Sequence, residues 1–429
     1  MAEVDAATIR KVRWKLLPVA MLLFFMSLLD RTNISFAALE MNKDLGLSLP
    51  QYGIAASIFY VGYFLFEIPS NFALRWSGAR IWLARIMITW GLVVVANAFV
   101  QGTTSLYVVR FLLGVAEAGL LPGLLLYLSF WLPASQRGVA YATLLSTTAI
   151  AYALGGPFTT WLMQFPVGEF RGWQTMYLVQ GVLTIIIGAA VPFILPNYVK
   201  DARWLSAEQR NALQLQLDRE EAVKRDTGAT TIRQGFLDPR VLLTTVTCFF
   251  LVCVNFGTVL FLPQILKPSF PTFTNVQISL LVSLAFIIGG VGGIACGRNS
   301  DRTGDRKWHI VICATVGAIG YACAGFAPTP MLQFVAICIG VLGIWSIFGV
   351  FWAYAGDLLG GVAAVGGLAF VNSLGSLGGI LAPNVLAYAR GASGSFSGSL
   401  YALSIFAIIT GLLAATLPRL VIGSRPGSR

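Results

Sequence analysis

Apolar stretches of about 20 residues recur along nearly the whole of this 429-residue chain, and no other feature limits its fold as severely. Stretches of that length fit helices that cross a bilayer and exceed the roughly ten residues of a membrane barrel strand. Only 11% of residues are charged, against roughly 25% in soluble domains, while 57% are hydrophobic and mean hydropathy is +0.77. Lipid offers no partner to a backbone N–H or C=O, so such a chain must pair them within helices or a closed barrel. The chain therefore reads as an all-α membrane protein. Twelve transmembrane helices are predicted over 16–40, 51–74, 80–100, 105–130, 138–163, 174–195, 239–265, 276–297, 308–327, 330–355, 361–389 and 396–420.

Basic residues near span ends stay cytoplasmic, which orients the chain. With the N-terminus inside, Arg10, Lys11, Arg13, Lys15, Arg75, Arg80, Arg137, the eight basic residues from Lys200 to Arg240, the group Arg298, Arg302, Arg306 and Lys307, and the C-terminal arginines all face the cytoplasm. Only Lys43, Arg171, Lys267 and Arg390 fall outside. Both termini are thus expected in the cytoplasm and the protein in a bacterial inner (plasma) membrane. The net charge of +11 is mainly a topology signal. Scattered over short loops, the basic residues give attraction to the lipid bilayer and no case for a nucleic-acid partner. The basic start "MAEVDAATIRKVRWK" has no small-residue cleavage site closing a short apolar core before Asp30 and Arg31, so it is read as retained.

Other chemistries find little footing. The six cysteines, Cys248, Cys253, Cys296, Cys313, Cys323 and Cys338, lie in apolar stretches with no CxxC pair, as packing residues do. The single histidine, His309, cannot make a His-based metal site or triad. Neither GxxxxGK[ST] nor a strand-linked GxGxxG is present. No metal, cofactor or catalytic residue is implied.

Two landmarks repeat at one offset. "NFALRWSGAR" after the second helix aligns with "GRNSDRTGDRK" after the eighth, Gly78 on Gly304, and "GGPFTTW" in the fifth aligns with "LAPNVLA" in the eleventh, Pro157 on Pro383, each 226 residues apart. Two parallel six-helix halves follow, 1–195 and 239–429, joined by a cytoplasmic linker over 196–238. In that linker Ser206 and Gln209 are spaced for a capping box at the start of an amphipathic surface helix.

The loop "GRNSDRTGDRK" carries Gly, three residues, Asp-Arg, one residue, Gly and then basic residues; its first-half copy has Arg75 in place of Asp. With "DRTNISFA" in the first helix, "GYFLFEIPSN" in the second, "GARIWLARIMITWG" entering the third and "RFLLGVAEAGLLPG" in the fourth, the full chain resembles the major facilitator superfamily, in particular its anion:cation symporter branch. The resemblance implies a twelve-helix fold of two pseudo-repeats and alternating access. It also implies uptake of an organic carboxylate (sugar acid, tartrate, phthalate or hydroxyphenylacetate), commonly coupled to protons, and we expect a monomer.

Ionisable groups well inside a bilayer cost about 2.5–3.5 kcal/mol each on insertion scales and usually carry function. Away from span ends these are Asp30, Arg31, Glu67, Arg110 and Glu117, all in the first half. Asp30 lies about 21 Å from the cytoplasmic end of its helix and Arg110 about 7.5 Å from the outer end of the fourth, which matches their depths in a core about 30 Å thick. Glu117, two turns beyond Arg110, shares its helix face but lies about 10.5 Å deeper. The functional reading gives Arg110 and Arg31 to the substrate carboxylate, since a guanidinium stays charged and its fork matches a carboxylate. Asp30 and Glu117 then carry the proton, burial favouring the neutral acid and a nearby arginine the ionised form. The competing reading is a static set of ion pairs holding the first and fourth helices together. The resemblance supports the functional version, since Asp-Arg in the first helix and Arg, six residues, then Glu in the fourth recur in related anion symporters.

The resemblance also carries Tyr63 and Asn372 over as substrate contacts, against the plainer readings of an interface aromatic and a helix–helix hydrogen bond. Thr148 is included where some relatives have glutamine, a departure that marks a different substrate. Glu67 is assigned to a gate rather than to substrate, as are Asp301, Arg302 and Arg306 of the loop. In "IWSIFGVFWAYAGD", Trp345, Phe348 and Trp352 share one face, as an aromatic wall or as packing, with Trp352 matching a family site residue. Gly289, Gly293 and Gly297 are spaced for close helix packing. Exporters or exchangers on the same fold are the alternative function, and a membrane enzyme or sensor the more distant one. The partial Gly-Pro signature in "ALGGPFTTW" favours import, and no catalytic constellation favours an enzyme.

Overall fold

A computed structural model describes residues 4–226, 238–359 and 363–419, and among these it is helical apart from turns, loops and one isolated bridge between Val167 and Phe170. Twelve helical spans are long and apolar enough to cross a membrane: Ala6–Asp44, Leu49–Leu74, Ala79–Asn97, Thr103–Ser129, Ala134–Leu162, Gly172–Ile194, Pro239–Ser269, Asn275–Thr303, Lys307–Phe326, Pro330–Leu358, Phe370–Ser393 and Ser397–Thr416, here spans 1 to 12. Every predicted helix is found. Span 1 starts well before residue 16 because Asp5 accepts the Thr8 backbone N–H at 2.9 Å and caps its first turn. In the linker, Ser206 and Gln209 form the reciprocal capping box at 3.2 Å each way, opening a helix over Ala207–Asp226.

The chain folds as two compact units, one of Met1–Asn33 with Val61–Thr230, the other of Ile34–Tyr60 with Thr231–Arg429. Spans 1 and 2 therefore each contribute to both. In the first unit, spans 3 and 6 approach closely at Gly91 and Gly181, where any side chain would meet the facing backbone. Glu220 of the linker helix accepts the Ala134 backbone N–H at 2.9 Å and lies 3.5 Å from Arg137, placing an anion at the N-terminus of span 5. In the second unit, the turn joining spans 1 and 2 is held by polar contacts. Tyr52 donates to the Leu260 carbonyl at 2.8 Å, Asn275 to Glu40 at 2.7 Å, and Asn384 to Ser57 at 3.0 Å. Span 8 packs on span 10 through Gly289 and Gly293, with Gly292 joining them and Gly297 open.

Span 4 departs from the single helix predicted over 105–130. It is two helices, Thr103–Glu117 and Leu120–Ser129, separated by Ala118 in an extended conformation and Gly119 at φ +87. That φ is left-handed, and a Cβ at Gly119 would run into the Ser70 side chain of span 2. The break sets Glu117 at the end of a helix, inside the protein. Gly119→Ala is expected to cost about 1–3 kcal/mol through backbone strain alone. The check is a lowered melting temperature of the purified protein in detergent; an unchanged one would mean that the break is not held by this residue.

Candidate functional site

The first unit buries charge in the middle of its spans. Asp30 and Glu117 are 0% exposed and Arg110 is 1% exposed. Span 1 presents two neighbouring faces. Ser27 and Arg31, one turn apart, both address Glu117: Ser27 Oγ and Arg31 Nε each donate to Oε1 at 2.6 Å. Asp30 and Asn33 point to the other side, where Asn33 Nδ2 donates to Asp30 Oδ1 at 2.9 Å. Charge-assisted bonds of this kind are the strong ones, and in a dry interior they are needed to offset desolvation.

Arg31 is also embedded in aromatics. Its guanidinium carbon lies 4.7 Å from the centre of the Tyr63 ring, and buried Tyr152 of span 5 is within its electrostatic reach. Thr148 is half-buried one turn before Tyr152. Glu67 is buried one turn beyond Tyr63 and within its electrostatic reach. Asp30 is faced by Glu117 and Arg110 of span 4 and by Trp90 of span 3, and Tyr177 of span 6 senses both Arg110 and Asp30. Glu117 takes Arg31 as its partner, across to span 1.

The structure also places side chains that a search for ionisable residues passes over. Gln180 of span 6 accepts from Asn33 Nδ2 at 3.0 Å through Oε1 and donates to Thr159 Oγ1 of span 5 at 3.0 Å. Ser27, Trp90, Tyr152 and Tyr177 join them. Their signal was available, since an amide in the middle of an apolar span needs a partner as a charge does.

The remaining candidates lie in the second unit. Asn372 is exposed and Trp352 half-buried, its ring 5.5 Å from that of Phe351. Trp345 packs on Phe286 of span 8 at 5.2 Å, so the aromatic face of span 10 is in part helix packing. In the loop between spans 8 and 9, Arg306 pairs with Asp301 and reaches Asp357 at the end of span 10 at 3.5 Å, while Arg302 is exposed. Arg419 pairs with Asp305 at 3.3 Å. The loop thus ties the ends of spans 8, 9, 10 and 12. All six cysteines are free thiols. Among the described residues no cluster of three His, Cys, Asp or Glu is placed to hold a metal.

Comparison with known proteins agrees with this architecture. The family model described as Major Facilitator Superfamily matches residues 20–383. A protein of Agrobacterium vitis whose name assigns it to tartrate transport is 40% identical over 424 residues, covering 98% of this chain and 94% of its own. A quinolone resistance transporter of Acinetobacter baumannii is 34% identical over 422 residues, covering 97% of each chain. The solved structure of a D-xylose-proton symporter matches with TM-score 0.76 at 14% identity, over 94% of this chain and 97% of its own, a likeness of fold alone. These proteins are transporters and not enzymes.

Removing one member of a buried pair leaves the other charge without compensation. Arg31→Leu is accordingly expected to destabilise the protein by about 3–5 kcal/mol. Adding Glu117→Gln should recover most of that loss, because the orphaned charge is gone. Thermal unfolding of the single and double variants checks this, and a double variant no more stable than Arg31→Leu would remove the pair from the account.

Proposed function

The chain belongs to the major facilitator superfamily and is a multi-pass membrane transporter, and on that premise we propose that it takes up a small organic carboxylate together with protons by alternating access. The observation that carries the reading is Arg31 held by Glu117 through one shared oxygen at 2.6 Å. A proton arriving on Glu117 removes the charge that holds Arg31. The guanidinium is then available to an anionic substrate, beside Arg110, whose fork supplies the second carboxylate contact. Proton and substrate therefore load together, which is the requirement for symport. Losing the proton restores the Glu117–Arg31 bond and displaces the carboxylate. Asp30, beside Arg110, is the second proton carrier.

Tyr63 and Thr148 of the first unit are further candidate substrate contacts, and Asn372 and Trp352 are candidates within the second unit taken by itself. Tartrate or a related sugar acid is the favoured substrate, on the 40% identical relative named for tartrate transport. Glu67, Asp301, Arg302 and Arg306 act in gating, the loop pairs biasing one of two packings of the helix ends. Residues 1–195 and 239–429 are the two half-repeats and 196–238 their linker. The protein works as a monomer in the inner membrane with both termini cytoplasmic, as the distribution of Lys and Arg supports. The relative named for quinolone resistance favours a second reading, export by proton exchange.

Proteoliposomes with an imposed pH gradient separate these readings. A symporter accumulates its anion in vesicles that are alkaline inside, and a proton antiporter in vesicles that are acidic inside. In a symporter, Arg110→Lys keeps the charge and loses the fork, so uptake should fall at least ~10-fold while the protein still folds. Glu117→Gln should retain substrate-for-substrate counterflow and lose uphill uptake. Near-normal uptake by Arg110→Lys would withdraw the carboxylate assignment, and uphill accumulation by Glu117→Gln would withdraw Glu117 as a proton carrier.

A further inference from the structure

We infer that Asn33, Gln180 and Thr159 form a directional hydrogen-bond chain that positions the carboxylate of Asp30, so that span 6 governs when this coupling acid takes and gives up its proton. The inference rests on the reading of Asp30 as a proton carrier. The chain runs Asp30 Oδ1, Asn33 Nδ2, Gln180 Oε1, Gln180 Nε2, Thr159 Oγ1, with links of 2.9, 3.0 and 3.0 Å. Asp30, Asn33, Gln180 and Thr159 are all fully buried.

Polarity in such a chain is forced from one end. An ionised carboxylate has only acceptors, so the Asn33 amide must turn its nitrogen toward Asp30. The second N–H of that nitrogen then needs an acceptor, and Gln180 supplies its oxygen. The Gln180 nitrogen is left to donate, and the Thr159 hydroxyl accepts. Flipping either amide would set two donors or two acceptors face to face. The arrangement carries its own cost: Asn33 Oδ1 is buried and accepts no hydrogen bond among the described residues. Asn33 keeps its donor on Asp30.

Two consequences follow for the proton. Oδ1 is occupied as an acceptor, so the proton is taken on Oδ2. A hydrogen bond donated to the ionised form favours that form, so the chain opposes protonation for as long as it is intact. Asn33 is on span 1, Gln180 on span 6 and Thr159 on span 5. Any shift of span 6 against span 1 that lengthens the link between Asn33 and Gln180 releases the amide and lets Asp30 hold its proton. The same shift in reverse expels it. The other groups facing Asp30 are Glu117 and Arg110 from span 4, Trp90 from span 3 and Tyr177 from span 6. Gln180 and Thr159 are positioning residues, acting through Asn33 and touching no substrate.

The test is the pH profile of gradient-driven uptake in proteoliposomes, with substrate counterflow at fixed pH as the measure of an intact binding site. Gln180→Met keeps the length of the side chain and removes the amide. It should move the alkaline limb of uptake up by about one pH unit, with counterflow within twofold of the parent. Thr159→Val should move the limb in the same direction by less, and it decides the matter if Gln180→Met does not fold. Asp30→Asn, measured alongside, should lose the limb and uphill uptake. A parental profile in both Gln180→Met and Thr159→Val, with Asp30→Asn uncoupled, would overturn the chain while leaving Asp30 as a carrier. If Asp30→Asn kept both the limb and uphill uptake, the carrier reading would fall and the positioning role with it.

Discussion

Charge buried in hydrocarbon is the constraint from which the rest of the first unit follows. Glu117 and Asp30 have no access to water, so each must find its stabilisation in the protein. Glu117 draws Ser27 and Arg31 onto a single oxygen, which sets the rotation of span 1 about its axis. That rotation turns Asp30 and Asn33 onto the neighbouring face, where Asn33 meets Gln180 of span 6. The break after Glu117 ends the first helix of span 4, and Gly119 makes the turn against Ser70. Polar and ionic groups are poor stabilisers compared with apolar packing.

The two units differ in how they use polarity. In the first, ionisable groups sit deep within the spans. In the second, they sit at the span ends, where Arg306, Asp301, Asp357, Asp305 and Arg419 join the termini of four spans, and the interior is aromatic and glycine-rich. The first unit therefore keeps its charges in the interior, and the second keeps them at its rim.

Much of this was legible in the sequence because it depends on local or one-dimensional quantities. Span length and apolar content are set by the thickness of the bilayer, so twelve helices could be counted. The capping box at Ser206 and Gln209 needs only a three-residue spacing. The five ionisable residues read as lying away from the span ends, Asp30, Arg31, Glu67, Arg110 and Glu117, stand out by composition. The 226-residue offset between the halves is likewise a property of the string.

What the tertiary structure decided is which faces meet. Periodicity gives the faces of a helix but leaves its rotation and tilt to its neighbours, so the pairing of Glu117 with Arg31 could not be read from spacing. The glycine in "GVAEAGLLPG" is permissive, yet only contact with Ser70 makes it the point where span 4 breaks. Asn33 and Gln180 are 147 residues apart, and each alone is simply an amide in an apolar span. The stretch Ile34–Tyr60 groups with the second unit although it belongs to the first half of the sequence. Each of these depends on contact between segments distant in the chain, and a contact of that kind has no local signature.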